Sequence, residues 1–264
     1  MHIQYGPQVE GIEASSYRCC YISVDDVGVK HQKEERKGGG NKSRKFVENT
    51  VIHVQTGSRQ YTITAIGMNK AFKILTAYLL ENKLLETHRL IFLTDGATII
   101  RDAIERAFSF RERTIILDWH HLEKKCNEYL SMVLKGSKEE KGKIKRHLSA
   151  VLWTGNADGA ISYLMGLKES AIKNSKLLDD LVGYITRKRP YIHCYALRKT
   201  LGLRISSNRV ETENDLVVAS RQKHNGMAWS QQGSGSLAVI TAARLNGDLG
   251  KWITERWISL KQVS

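Results

Sequence analysis

Two apolar runs, Leu90-Ile91-Phe92-Leu93 and Thr114-Ile115-Ile116-Leu117, are too short for helices and have no polar side. Strands of that kind are buried on both faces, and a chain achieves this by laying helices over both sides of a sheet. The residues around them agree. Ile99, Ile100, Ala103, Ile104, Ala107 and Phe108 recur at helical spacing between the two runs, and Ala71, Leu75 and Leu79, with Phe72 and Ile74 alongside, do so over 69–85. Upstream, residues 20–29, 46–56 and 59–67 have strand character, the last setting Tyr61, Ile63 and Ala65 against polar neighbours, and Thr56-Gly57-Ser58 marks a hairpin turn. The order is three strands in a meander, helix, strand, helix, strand. The fold class is α/β, a mixed five-stranded sheet with flanking helices.

Past Asp118 the character changes. Residues 122–200 are periodic, rich in Leu, Ile and Lys, and lack strand-like alternation, with breaks near Gly136, Gly155-Asn156 and Pro190. This predicts an all-helical insertion of three or four helices, dividing the chain into 1–121 (core, first part), 122–200 (helical, basic) and 201–264 (core, C-terminal part). Gly202 to Asn208 reads as a loop capping a last helix: Ser207 or Asn208 can accept from backbone amides, and Glu211 stands in the first turn. Between the first two strands, residues 33–45 form a charged, glycine-rich loop, solvated or phosphate-contacting.

A length of 264 residues permits one large core with an insertion or two small ones. The formal net charge of +14 points to a polyanionic partner, phosphate backbone being the commonest. Residues 123–200 hold sixteen Lys and Arg against eight Asp and Glu, so +8 of that charge falls in under a third of the chain. Cys19, Cys20, Cys126 and Cys194 match no zinc spacing or disulfide framework. No apolar run reaches the ~18 residues of a membrane span, and no signal peptide pattern opens the chain, so a cytoplasmic setting without membrane is expected.

Three carboxylates stand where chemistry could use them: Asp25 in Ser23-Val24-Asp25, Asp95 in Thr94-Asp95-Gly96, and Glu211 in Asn208-Arg209-Val210-Glu211. Two are set by strands and one by a helix, a layout that suits a hard divalent cation such as Mg²⁺ and phosphodiester cleavage. Each has a bland alternative: a strand-end turn for Asp25, an Asp-Gly turn for Asp95, a capping box for Glu211. Asp26 rivals Asp25, since consecutive strand residues face opposite ways and the neighbours do not decide between them. Arg221, ten residues after Glu211 and about three helical turns along, could fork onto a phosphate. Trp229 and Met227 read as core side chains.

From about Tyr21 onward the chain resembles the catalytic domain of bacterial insertion-sequence transposases of the DDE type, nearest the ISKra and ISLre groups. The matching residues are Ser23-Val24-Asp25 with Val27-Gly28-Val29, Thr94-Asp95-Gly96-Ala97, Asp118-Trp119-His120-His121, Gly202 through Glu211, and Gly226-Met227-Ala228-Trp229-Ser230. Asn208, Glu211 and Asn214 also form an Asn-x-x-Glu-x-x-Asn pattern similar to that of mutator-like transposases. The resemblance implies a ribonuclease H-like core interrupted by a helical insertion, with Asp25, Asp95 and Glu211 as catalytic and metal-holding residues. It also implies two Mg²⁺ ions, replaceable by Mn²⁺, element ends and target DNA as partners, and a homo-oligomer on DNA in the nucleoid. Asp118 and His121 match the family's acid-x-x-His element and are both expected to contact DNA or phosphate, the acid also orienting the His ring. Met1 precedes the first strand by only about 20 residues, so a partial transposase without an N-terminal recognition domain is expected. Two other readings share these features: a non-catalytic DNA-binding remnant, and a ribonuclease H-like nuclease acting on RNA:DNA hybrids.

Overall fold

The computed structural model describes residues 18–32, 46–223 and 226–256; the glycine-rich stretch 33–45 lies outside the described residues. The chain groups into two compact units, the first Met1–Phe92, Asp102–Thr114 and Asn208–Ser264, the second Leu93–Arg101 and Ile115–Ser207. Strands β1 (Arg18–Lys30), β2 (Phe46–Thr56), β3 (Arg59–Ile66), β4 (His88–Thr94) and β5 (Arg113–Leu117) form one sheet in the order β3-β2-β1-β4-β5. The meander is antiparallel in register, with Asp25 opposite Val51 and Val51 opposite Thr64.

In the first unit, alternation along the meander sorts side chains between two faces. Helix α1 (Met68–Glu81) packs on β2 and β3, stacking Tyr78 on Tyr61 at 4.5 Å. The helix expected over 69–85 is shorter than its pattern, because Lys83 takes a left-handed φ of 55° and a separate turn, α2 (Leu84–Thr87), follows. Phe108, after α3 (Thr98–Ala107), meets Phe92 of β4 at 5.4 Å. The other face gathers Val27, Val29 and Val51 with Val210, Val217, Val218, Ala238 and Ala242. These come from α9 (Asn208–Asn214), the π-helical turn Asp215–Ala219 that continues it, and α10 (Gln231–Leu245). This face also carries buried polar groups: Asn49 donates to Ser234 Oγ at 2.8 Å, and Ser234 Oγ donates to Gln222 Oε1 at 2.6 Å. At the outer edge of the sheet the Asn246 side chain pairs with Thr62 like a strand residue, accepting from its N–H and donating to its carbonyl, each at 2.8 Å.

The second unit is helical after β5. Five helices, α4 (Trp119–Val133), α5 (Lys138–Trp153), α6 (Ala157–Met165), α7 (Ser175–Lys188) and α8 (Tyr195–Thr200), are described there, more than the three or four expected. The additional break falls at residues 166–174, where Asn174 caps α7 by accepting from Leu177 N–H. Side-chain caps explain the other starts: Asp118 for α4, a Ser137–Glu140 capping box for α5 and Asn156 for α6. Trp119 meets Trp153 edge-on at 4.8 Å, and the buried Tyr195 hydroxyl donates to Leu117 O at 2.8 Å. No described helix is long and apolar enough to cross a membrane.

Candidate active site

Register decides between the two adjacent aspartates. Asp25 shares a face of β1 with Val27 and Val29, which pack against Val210, Val217 and Val218. Asp26 faces the other way and accepts from the Thr50 hydroxyl directly opposite it on β2 at 2.5 Å. Asp25 is therefore the acid turned toward the helix that bears Glu211. Its Oδ1 accepts the Asp26 N–H at 2.8 Å, and its Oδ2 accepts from Asn214 Nδ2 at 2.5 Å.

Helix α9 and the π-helical turn after it bury the stripe Val210, Asn214, Val217 and Val218, and Glu211, one residue off that stripe, is exposed in the first turn. Between Asn214 and the final turn, Ser220–Gln222, the helix widens into π geometry, in which hydrogen bonds skip one further residue. This interrupts the regular helix expected between Glu211 and Arg221. Arg221 is exposed beside the fully buried Gln222. Glu213 accepts from the Thr62 hydroxyl at 3.0 Å and stands 3.8 Å from Nδ1 of His53, which is buried on β2. Trp229 packs beside the valine cluster and donates from its indole to Gln222 O, while Met227, expected in the core, is 37% exposed.

In the second unit, Asp118 N–H donates to Thr94 O at 2.7 Å, so β4 and β5 end side by side and Asp95 follows directly. Asp95 Oδ1 accepts the Ala97 N–H at 2.7 Å, closing the turn, and Gly96 holds φ at 88°. Lys188, at the end of α7, donates its ammonium to Gly96 O. A Cβ on Gly96 would come within 2.6 Å of Leu117 Cδ1 and 3.4 Å of Lys188 Cε, so only glycine admits this approach. Burial and the nearby Arg101 push the Lys188 pKa down, and Asp95 opposes them.

Asp118 is fully buried and its carboxylate is shared between two partners. Oδ1 accepts the His121 N–H at 2.9 Å and lies 3.3 Å from His121 Nδ1, and Oδ2 accepts from both the N–H and the hydroxyl of Ser207. Burial alone would raise its pKa. The His121 ring, the Ser207 and His121 amides and the Ser207 hydroxyl outweigh that and hold it at about 2. With no exposed surface Asp118 cannot reach a phosphate itself, contrary to its expected direct contact; it orients His121, whose side chain is 39% exposed. Ser207, one of the two residues expected to cap the last helix, donates both its N–H and its hydroxyl to Asp118.

Among the described residues, no group of three or more His, Cys, Asp or Glu side chains is placed to hold a metal ion. The donor chemistry nevertheless fits Mg²⁺, which takes one or two carboxylates and completes its shell with water and substrate phosphate. Asp25 offers a half-buried carboxylate with each oxygen fixed by one N–H. Sequence reasoning gave no role to Asn214, His53, Glu213 or Lys188. Only the Asn-x-x-Glu-x-x-Asn spacing hinted at the first of these.

No family model matches the sequence, and no curated protein matches it. Among solved structures, the Drosophila P element transposase strand transfer complex is similar at 11% identity with a TM-score of 0.27. The alignment covers 90% of this chain and 66% of that one, so this chain spans a little under two thirds of its length. A likeness at that level carries no inference about fold or function.

Proposed function

We propose that the chain is a DDE-type transposase catalytic domain with a ribonuclease H-like core, which hydrolyses a phosphodiester at element ends and joins the freed 3′-hydroxyl to target DNA. The observation that carries this reading is the Asp25 carboxylate, turned toward the Glu211-bearing helix and tied to it through Asn214. The Asp95 turn beside Asp118 and His121 supports it, as does the strand order β3-β2-β1-β4-β5 with an antiparallel meander.

As the family resemblance implies, Asp25, Asp95 and Glu211 would hold Mg²⁺, which would polarise the scissile phosphate and lower the pKa of the attacking hydroxyl. The chain's own groups do the rest. Backbone and side-chain N–H groups hold Asp25 in place, His121 held by Asp118 donates to a phosphate oxygen, and exposed Arg221 binds backbone phosphate. DNA and a homo-oligomer on DNA are the proposed partners.

The test compares wild type with Glu211→Gln on supercoiled plasmid DNA in Mg²⁺ or Mn²⁺. We expect nicking by wild type and its loss in the variant with DNA affinity retained. Equal nicking by both would reject the assignment. Cleavage confined to the RNA strand of an RNA:DNA hybrid would move the protein to the hybrid nucleases.

A further inference from the structure

Asn214 sits on the inward stripe of α9, flanked by Val210 and by Val217 and Val218, at a position where an apolar side chain would continue the stripe without polar cost. It is 5% exposed. Its Nδ2 donates to Asp25 Oδ2, which fixes the orientation of the amide. The other end of the amide, Oδ1, is buried and has no hydrogen-bond partner among the described residues. The valines of the π turn that follow Asn214 anchor it from the C-terminal side.

Resting on the proposed function, we propose that Asn214 is the positioning residue for Asp25: its Nδ2 holds the carboxylate ready for a divalent cation. Nothing in this role requires Asn214 to touch the reacting phosphate. It acts through the orientation of Asp25, the kind of support whose loss costs about 10- to 100-fold in metal affinity. An apolar replacement keeps the stripe and loses the amide's hold on Asp25.

The experiment titrates Mn²⁺ into the full chain, following the free-ion electron paramagnetic resonance signal, for wild type, Asn214→Leu, Asn214→Ala and Asp25→Asn, with thermal unfolding of each as a check on folding. We expect Asp25→Asn to abolish binding, and both Asn214 variants to weaken it about 10- to 100-fold while remaining folded. Nicking by the Asn214 variants should recover as Mn²⁺ is raised, a split between apparent metal affinity and limiting rate that a merely structural role would not give. If both Asn214 variants bind Mn²⁺ as wild type does while Asp25→Asn does not, this inference fails and the catalytic reading stands. If wild type neither binds Mn²⁺ nor nicks, the catalytic reading fails and the inference falls with it.

Discussion

Asp118 is an acid committed to structure by the number of donors around it. Its folded pKa of about 2 lies below the 3.8 of an unperturbed aspartate, so the ionised form adds stability above about pH 4, and that contribution is lost as pH falls through about 2. The shift corresponds to roughly 2 kcal/mol. Asp118→Asn is therefore expected to cost about that much at pH 7 and to flatten the stability curve between pH 4 and pH 2, as read by urea titrations at each pH. Little of this was legible in the chain. The Asp118-x-x-His121 spacing located the pair, but Ser207, which donates to the same carboxylate through its N–H and its hydroxyl, lies 89 residues away. The Asp25 and Asp26 ambiguity is of the same kind: alternation makes them opposite, and only the packing of Val27 and Val29 under α9 says which side is which.

Helices and strands were more legible than residues because their signals are local. The break expected at Gly155-Asn156 falls between α5 and α6, where Gly155 has φ of 80° and Asn156 caps by accepting from Gly159 N–H at 2.7 Å. A Cβ on Gly155 would lie 2.8 Å from Cys194 N and 2.9 Å from His193 C, both backbone atoms that cannot rotate away. Gly155→Ala thus combines left-handed strain with a clash, and we expect a loss of about 2 to 4 kcal/mol, visible as a lowered urea midpoint at unchanged slope. Gly57→Ala, whose Cβ would meet nothing within 4 Å, separates the two effects, since only strain should remain. The π turn at Asp215–Ala219 had no comparable signal. Its valines and leucine fit an α-helix equally well.

For the whole molecule, the number and order of strands could be read because each apolar run has one length and one period, whereas their arrangement in the sheet depends on pairings no local pattern records. Charge is a property of the entire chain, and +14 predicts sensitivity to salt more firmly than it predicts a sequence. Duplex DNA affinity, followed by fluorescence anisotropy, is expected to fall by about 10³ or more between 50 and 200 mM salt, as for about six or more neutralised phosphates. A flat salt response would remove DNA as the partner. The Asn246 side chain, bonded to both backbone groups of Thr62, has a consequence at this scale too. An outer strand is a template for any extended segment that meets it, and here one amide occupies that template from within the same chain. Protection from templated polymerisation at Thr62 is thus vested in a single residue, far in sequence from the strand it guards and without any part in chemistry.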